Sequence, residues 1–376
     1  MWPPISRREF LVSSLTVATA SVASSKWTDA STIPDGSRID ASEARALQES
    51  TLVVDGLDPS NLRADYLDLL RAGGVHCWHQ SLGADLANFA ALLNFLDVNK
   101  ARIAQARTVR EIRDLRQRGL LSHLSGWQSA EGLVVNGVPV PSNLRVFREL
   151  GLRICGIAYN VANVFGGGCL DPQAGLTRAG HRLVEEIHRA RIVLDVAGHT
   201  SETTSLDAIA VSAGVPVICT HTNIRSLNDN PRCSTDRMLE AIARTGGVIG
   251  LSAFNDFHAR KASDVQVSRT PQVGLDRHLD QYDYLKRLVG VDHVGIGPDF
   301  IQGNNSSGRI SAEESVVMAP EAYSPEMPWF FVKGFENIGE LPNVTLGLLQ
   351  RGWSPADVRK VLGENWLRVY ERVWGS

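Results

Sequence analysis

The stretch RIVLDVAGHTSETTSLDAIAVSAGVPVICTH, Arg191 to His221, decides the fold. It holds two short apolar runs, RIVLDVAG and VPVICTH, separated by a segment long enough for one helix. Near-continuous apolar runs of this length suit strands buried on both faces. Two of them joined by a helix make a parallel β-α-β unit. Each run stops at a histidine, His199 in the first case and His221 in the second.

Outward from that unit the same alternation repeats. TLVVDG, GGVHCWH, LSHLSGW and LRICGIAY precede it, and GGVIGLSAF and DHVGIGPDF follow it, which makes eight strand candidates. The helices between them carry apolar stripes at about 3.6-residue spacing, such as Leu239, Ile242 and Ala243, or Leu279, Tyr282, Leu285, Leu288 and Val289. The last helical stretch opens on Ser354 as N-cap, with Pro355 at the first position and Asp357 in the first turn. Eight buried strands, each followed by a helix, predict an α/β protein with a closed (β/α)8 TIM barrel. An open doubly wound sheet is the alternative, and it gives no reason for polar residues at the ends of so many separate strands.

The chain has 376 residues, 43% apolar and 21% charged, with a formal net charge of −3. That is ordinary globular composition with enough material for a large core. No basic block follows residue 10, so neither nucleic acid nor an anionic membrane surface has electrostatic support as a partner. Residues 1–25 resemble a twin-arginine export signal: Arg7 and Arg8 precede an apolar, Ser/Ala-rich run from Leu11 to Ala23, with small-residue cleavage sites near Ala20 or Ala23. The run is too short and too polar to make a stable membrane span. The expectation is export to the periplasm through the twin-arginine machinery. Residues 26–50 read as a polar lead-in and 51–376 as one barrel domain. A long Gly/Ser/Pro-containing loop, about 301–335, would serve as a lid or substrate wall. The five cysteines include no C-x-x-C pair and read as buried thiols, with room for one disulfide. A homodimer is an allowed assembly.

In such a barrel the site forms at the C-terminal ends of the strands. The residues there are Asp55, Leu57 and Asp58, then Gln128, Tyr159, Asn160, His199, His221 and Asp299. Neighbouring parallel strands lie about 4.8 Å apart, so His199 and His221 can share one metal at about 2.0–2.1 Å each. Each can instead cap its own strand end. Asp299 in GIGPDF is placed to move a proton, or to cap the next helix. Arg232 in NDNPRCSTD can grip a carboxylate with two prongs, or be an ordinary solvated charge.

The ordered segments GLTRAGHRLVEEIHRARIVLDVAGHTS, VPVICTHTNIRSLNDNPRCSTDRMLEAIARTGGVIG, VGIGPDF and GENWLRV resemble the renal (membrane) dipeptidase family, zinc dipeptidases on an amidohydrolase-like (β/α)8 barrel. The likeness runs from about Leu52 to the C-terminus. It implies a metal-dependent hydrolase of dipeptides or related small amides. His199 and His221 match the ligands of the second zinc, Asp299 the acid/base beside the attacking water, Arg232 the anchor of the substrate carboxylate and Tyr159 a residue near the scissile bond. DVAGHTS is one residue longer than the family's equivalent, which bears on where His199 sits. The first zinc fares worse. Its His and Asp positions hold Leu57 and Pro59, and its bridging Glu is Gln128, a neutral and poorer ligand. The expectation is one Zn²⁺ instead of two, on His199 and His221, with Gln128 or Asp299 as the third ligand. The alternative is a repurposed homologue that binds, matures or tailors a small molecule without hydrolysis.

Overall fold

In the computed structural model residues 40–302 and 319–375 are described. The expected export signal, most of the lead-in and the middle of the long loop lie outside them. The sheet has nine strands, all parallel: β1 (Val54–Asp58), β2 (Cys77–Ser81), β3 (Ile103–Gln105), β4 (Leu121–Trp127), β5 (Leu152–Gly156), β6 (Val193–Asp195), β7 (Val217–Thr222), β8 (Ile249–Leu251) and β9 (Val294–Ile296). Eight follow one another around the path β1-β2-β4-β5-β6-β7-β8-β9. The circuit is brought together where the backbone N–H of Asp299, just past β9, donates to Leu57 O in β1 at 3.0 Å. This is the nearly closed (β/α)8 barrel that the alternation predicted, and helices follow its strands.

The eight strand candidates all contain strands. The ninth, β3, was not anticipated. It pairs with the start of β4, Ile103 to Leu121 through Gln105 to His123. β5 first meets β4 only at Ser125. Three residues of β3 thus satisfy backbone groups that the short β5 leaves open. A run of three residues carries too little pattern to be read from sequence.

The lead-in ends in a helix. Ala41–Ser50 is a helix, started by a capping box in which Asp40 and Glu43 each accept from the other's backbone N–H. Its buried residues Ala44 and Leu47 join the main core, and Gln48 accepts from Thr345 Oγ1 at 2.8 Å.

One core cluster joins strand residues Val54, Cys77, Leu124, Ile154, Val193 and Ile218 to the C-terminal helix Asn365–Trp374 through Trp366, Tyr370 and Trp374. Tyr370 and Trp374 stack at 4.5 Å between centroids, and Trp366 Nε1 donates to Ile296 O at 3.1 Å. A Cβ at Gly56 or Gly295 would lie within 2.7 Å of the Trp366 ring, so the indole needs glycine on both β1 and β9. This is the structural role of the GENWLRV segment. It seals the barrel from below and leaves the opposite end for chemistry. All five cysteines are buried free thiols and no disulfide forms among the described residues.

Candidate functional site

His199 and His221 converge, as their places on consecutive strands require. Their ring centroids are 4.9 Å apart. Each ring has its Nδ1 fixed by a neighbour. His199 Nδ1 donates to Asn160 Oδ1 at 2.7 Å. His221 Nδ1 donates to Thr220 Oγ1 at 2.9 Å, and that hydroxyl donates onward to Asp195 Oδ2 at 2.6 Å. The second oxygen of Asp195 accepts from the Thr220 backbone N–H at 2.9 Å. These partners set both tautomers, with hydrogen on Nδ1 and a lone pair on Nε2. Burial and the nearby Arg232 charge push both imidazoles well below the ordinary histidine range, so both are neutral.

Both lone pairs point at the same atom. Arg232 Nη2 lies 3.0 Å from His199 Nε2 and 3.2 Å from His221 Nε2. That nitrogen carries two hydrogens, one for each ring. Arg232 is only 1% exposed. Its Nε donates to Tyr323 Oη at 3.0 Å, and its Cζ stands 4.9 Å from the centre of the Phe257 ring. Its Nη1 is buried without a hydrogen-bond partner. Gly198 makes room for it, because a Cβ there would come within 2.3 Å of Arg232 O and 2.6 Å of Nη1. The segment holding His199 wraps closely on the arginine.

Asp299 takes a left-handed backbone, φ +64°, a conformation that Asp tolerates better than most residues. Its Oδ2 lies 3.9 Å from His221 Nε2 with the side chain 13% exposed. Burial pushes its carboxyl up to about 7, with Arg232 pulling down and Asp58 pushing up. Asp58 accepts from the Ser60 N–H at 2.7 Å and from the Tyr66 hydroxyl, and burial pushes it up to about 6. Asp55 is buried with Oδ2 unpartnered, and burial raises it well above the usual range. Tyr159, 37% exposed, stacks on His199 at 3.8 Å and 24°.

Two of the expected first-metal positions hold side chains with no metal-binding atom. Leu57 is buried in β1 and Pro59 follows it. Gln128 donates Nε2 to Ser81 Oγ at 3.1 Å, and its Oε1 is buried without a partner. Among the described residues no group of three His, Cys, Asp or Glu stands ready to hold a metal ion. The imidazole nitrogens of His199 and His221 already accept from a guanidinium. These residues do not fit the single zinc expected on His199, His221 and Gln128.

A family model for membrane dipeptidases, peptidase family M19, matches residues 43–310 and 326–374. The chain belongs to the membrane dipeptidase family. Its relatives include the dipeptidase verJ of Clonostachys rogersoniana, 25% identical over 350 residues that cover 85% of this chain and 79% of that one. Another is a Klebsiella pneumoniae protein described as uncharacterized and encoded in the pqqA 5′ region. It is 28% identical over 292 residues, 76% of this chain and 94% of its own. Among solved structures, an amidohydrolase from Pseudomonas aeruginosa superposes with a TM-score of 0.77 at 27% identity, over 89% of this chain and 99% of that one. This dipeptidase-family barrel therefore stands within a family of metallopeptidases.

His199, His221, Arg232, Tyr159 and Asp299, all named from the sequence, lie together in the fold, and the contact of Arg232 Nη2 with both histidine nitrogens was not anticipated. Sequence reasoning missed Asp195 and Thr220, which orient His221, and Tyr323 and Phe257, which hold Arg232. Asp195 left a usable signal, a charge inside an apolar strand. Tyr323 left none, since it reaches the site from the long loop.

Proposed function

We propose that this protein recognises a dipeptide or a related small amide at the open end of the barrel, and that it does so without hydrolysis by metal-activated water. The observation that carries this reading is the seat of Arg232 Nη2 between the two histidine nitrogens. Tyr159 and the exposed Val161 and Val164, 38% and 55% accessible, offer an aromatic face and an apolar rim to a small ligand. Family membership supports the substrate class. The test is a panel of dipeptides followed by calorimetry and by mass spectrometry of released amino acids. Binding without release is expected. Release that His221→Ala abolishes would overturn this reading.

A specific observation favours the second reading, hydrolysis. Asp299 remains 3.9 Å from His221 and is pushed up to about 7, suited to exchanging a proton near neutral pH. In that case Asp299→Asn should abolish release of amino acids.

Export to the periplasm is also proposed, on Arg7, Arg8 and the apolar run after them. No helix among the described residues is long and apolar enough to cross a membrane. Replacing both arginines with lysine should retain the protein in the cytoplasm.

A further inference from the structure

We infer that Arg232 is the resident cation of this site, and that its guanidinium and a zinc ion are mutually exclusive occupants of the space between His199 and His221. The inference rests on the reading above and extends it: where this arginine seats its guanidinium decides whether the two histidines can take a metal. Two neutral imidazoles with their Nδ1 hydrogens fixed by Asn160 and Thr220 present two lone pairs to one point. Lone pairs so placed call for a hydrogen-bond donor or a metal, and a guanidinium donating two hydrogens meets them at 3.0 and 3.2 Å. Zinc would take the same lone pairs at about 2.0–2.1 Å, so the two cannot be bound together.

Nothing about the arginine is incidental. Tyr323 holds its Nε, Phe257 covers its plane, and Gly198 supplies the space that a Cβ would fill. These contacts come from three separate parts of the chain: the loop after β6, the segment after β8 and the loop before the last helices. The guanidinium is thus held in the cation position by the fold. With it removed, Asp299, whose Oδ2 lies 3.9 Å from His221 Nε2, is a carboxylate that a side-chain movement could add to His199 and His221. Two histidines and a carboxylate are an adequate donor set for zinc with a fourth position left to water.

The experiment measures zinc per chain and zinc affinity on the full-length protein, for wild type, Arg232→Ala and Arg232→Met, with melting temperature in zinc and in chelator. The methionine keeps an apolar stem against Phe257 in case the alanine variant does not fold. Wild type should hold less than about 0.1 zinc per chain, and its melting temperature should not respond to zinc or chelator. A folded variant should bind about one zinc at least about 100-fold more tightly than wild type, and His221→Ala added to it should remove that gain. About one zinc in wild type would overturn the reading of the site itself. No zinc in wild type and none in a folded variant would leave that reading standing and overturn the exclusion. If neither variant folds, the wild-type melting response decides, and stabilisation by zinc overturns the inference.

Discussion

Arg232 Nη2 stands 3.0 Å from His199 Nε2, a hydrogen bond in the place where the family resemblance leads one to expect a metal–nitrogen bond. The whole site is organised around that contact. Asn160 fixes the far side of the histidine, Tyr159 covers its face, and Tyr323 and Phe257 steady the arginine.

Asn160 holds His199 from a left-handed backbone position, φ +60°. Asn160→Ala loses the acceptor and places a residue ill suited to that φ, and should cost about 2–3 kcal/mol in a denaturant titration. Asn160→Asp keeps an acceptor and the backbone tolerance, and should lose less. Equal losses would mean that the hydrogen bond to His199 contributes nothing.

Asp195 reaches His221 only through Thr220. Asp195 accepts from both the backbone N–H and the hydroxyl of Thr220. An asparagine can accept with only one of its two side-chain polar atoms. Asp195→Asn should therefore lower stability by about 1–3 kcal/mol, and should alter the His221 ring signals in NMR spectra while those of His258 stay in place. Unmoved His221 signals would contradict the relay.

Tyr159 is a test of binding apart from folding. It is 37% exposed and stacks on His199. Tyr159→Ala should change stability by less than about 1 kcal/mol and weaken dipeptide binding by up to about tenfold. Unchanged affinity would remove Tyr159 from the ligand surface.

His258 gives a prediction in pH. Its Nε2 lies 3.1 Å from Ser252 O, and burial pushes it down to about 4. The unfolded chain takes up that proton near pH 6.5, so native stability is intact above 6.5 and is lost as pH falls from there toward 4. Buried carboxylates work in the opposite sense: burial pushes Asp58 and Asp195 up to about 6, so the stability from their neutral forms is lost as pH rises through 6. Comparing wild type with His258→Gln isolates the histidine. Between pH 7 and pH 4 the difference in unfolding free energy should move in the variant's favour by at most about 3 kcal/mol. Parallel curves would show that His258 is not held neutral.

The barrel was legible because its signal is repeated. Eight apolar runs with helices between them leave few other topologies, and LSHLSGW was read residue for residue as β4, Leu121–Trp127. Strands such as β6 and β8 are only three residues long, so the apolar runs overstated them. The convergence of His199 and His221 was legible for the same geometric reason, since consecutive parallel strands must place their ends together. What occupies the point of convergence was not. It depends on a long side chain curling back from a loop, on Gly198 giving it space, and on Tyr323 arriving from ninety-one residues downstream. Local spacing contains none of that.

The most direct test is a crystal grown with zinc and measured on both sides of the zinc absorption edge. Guanidinium density is expected between His199 and His221, with no anomalous peak there. A peak within about 2.1 Å of both Nε2 atoms, with Arg232 swung away, would contradict Arg232 as the resident cation.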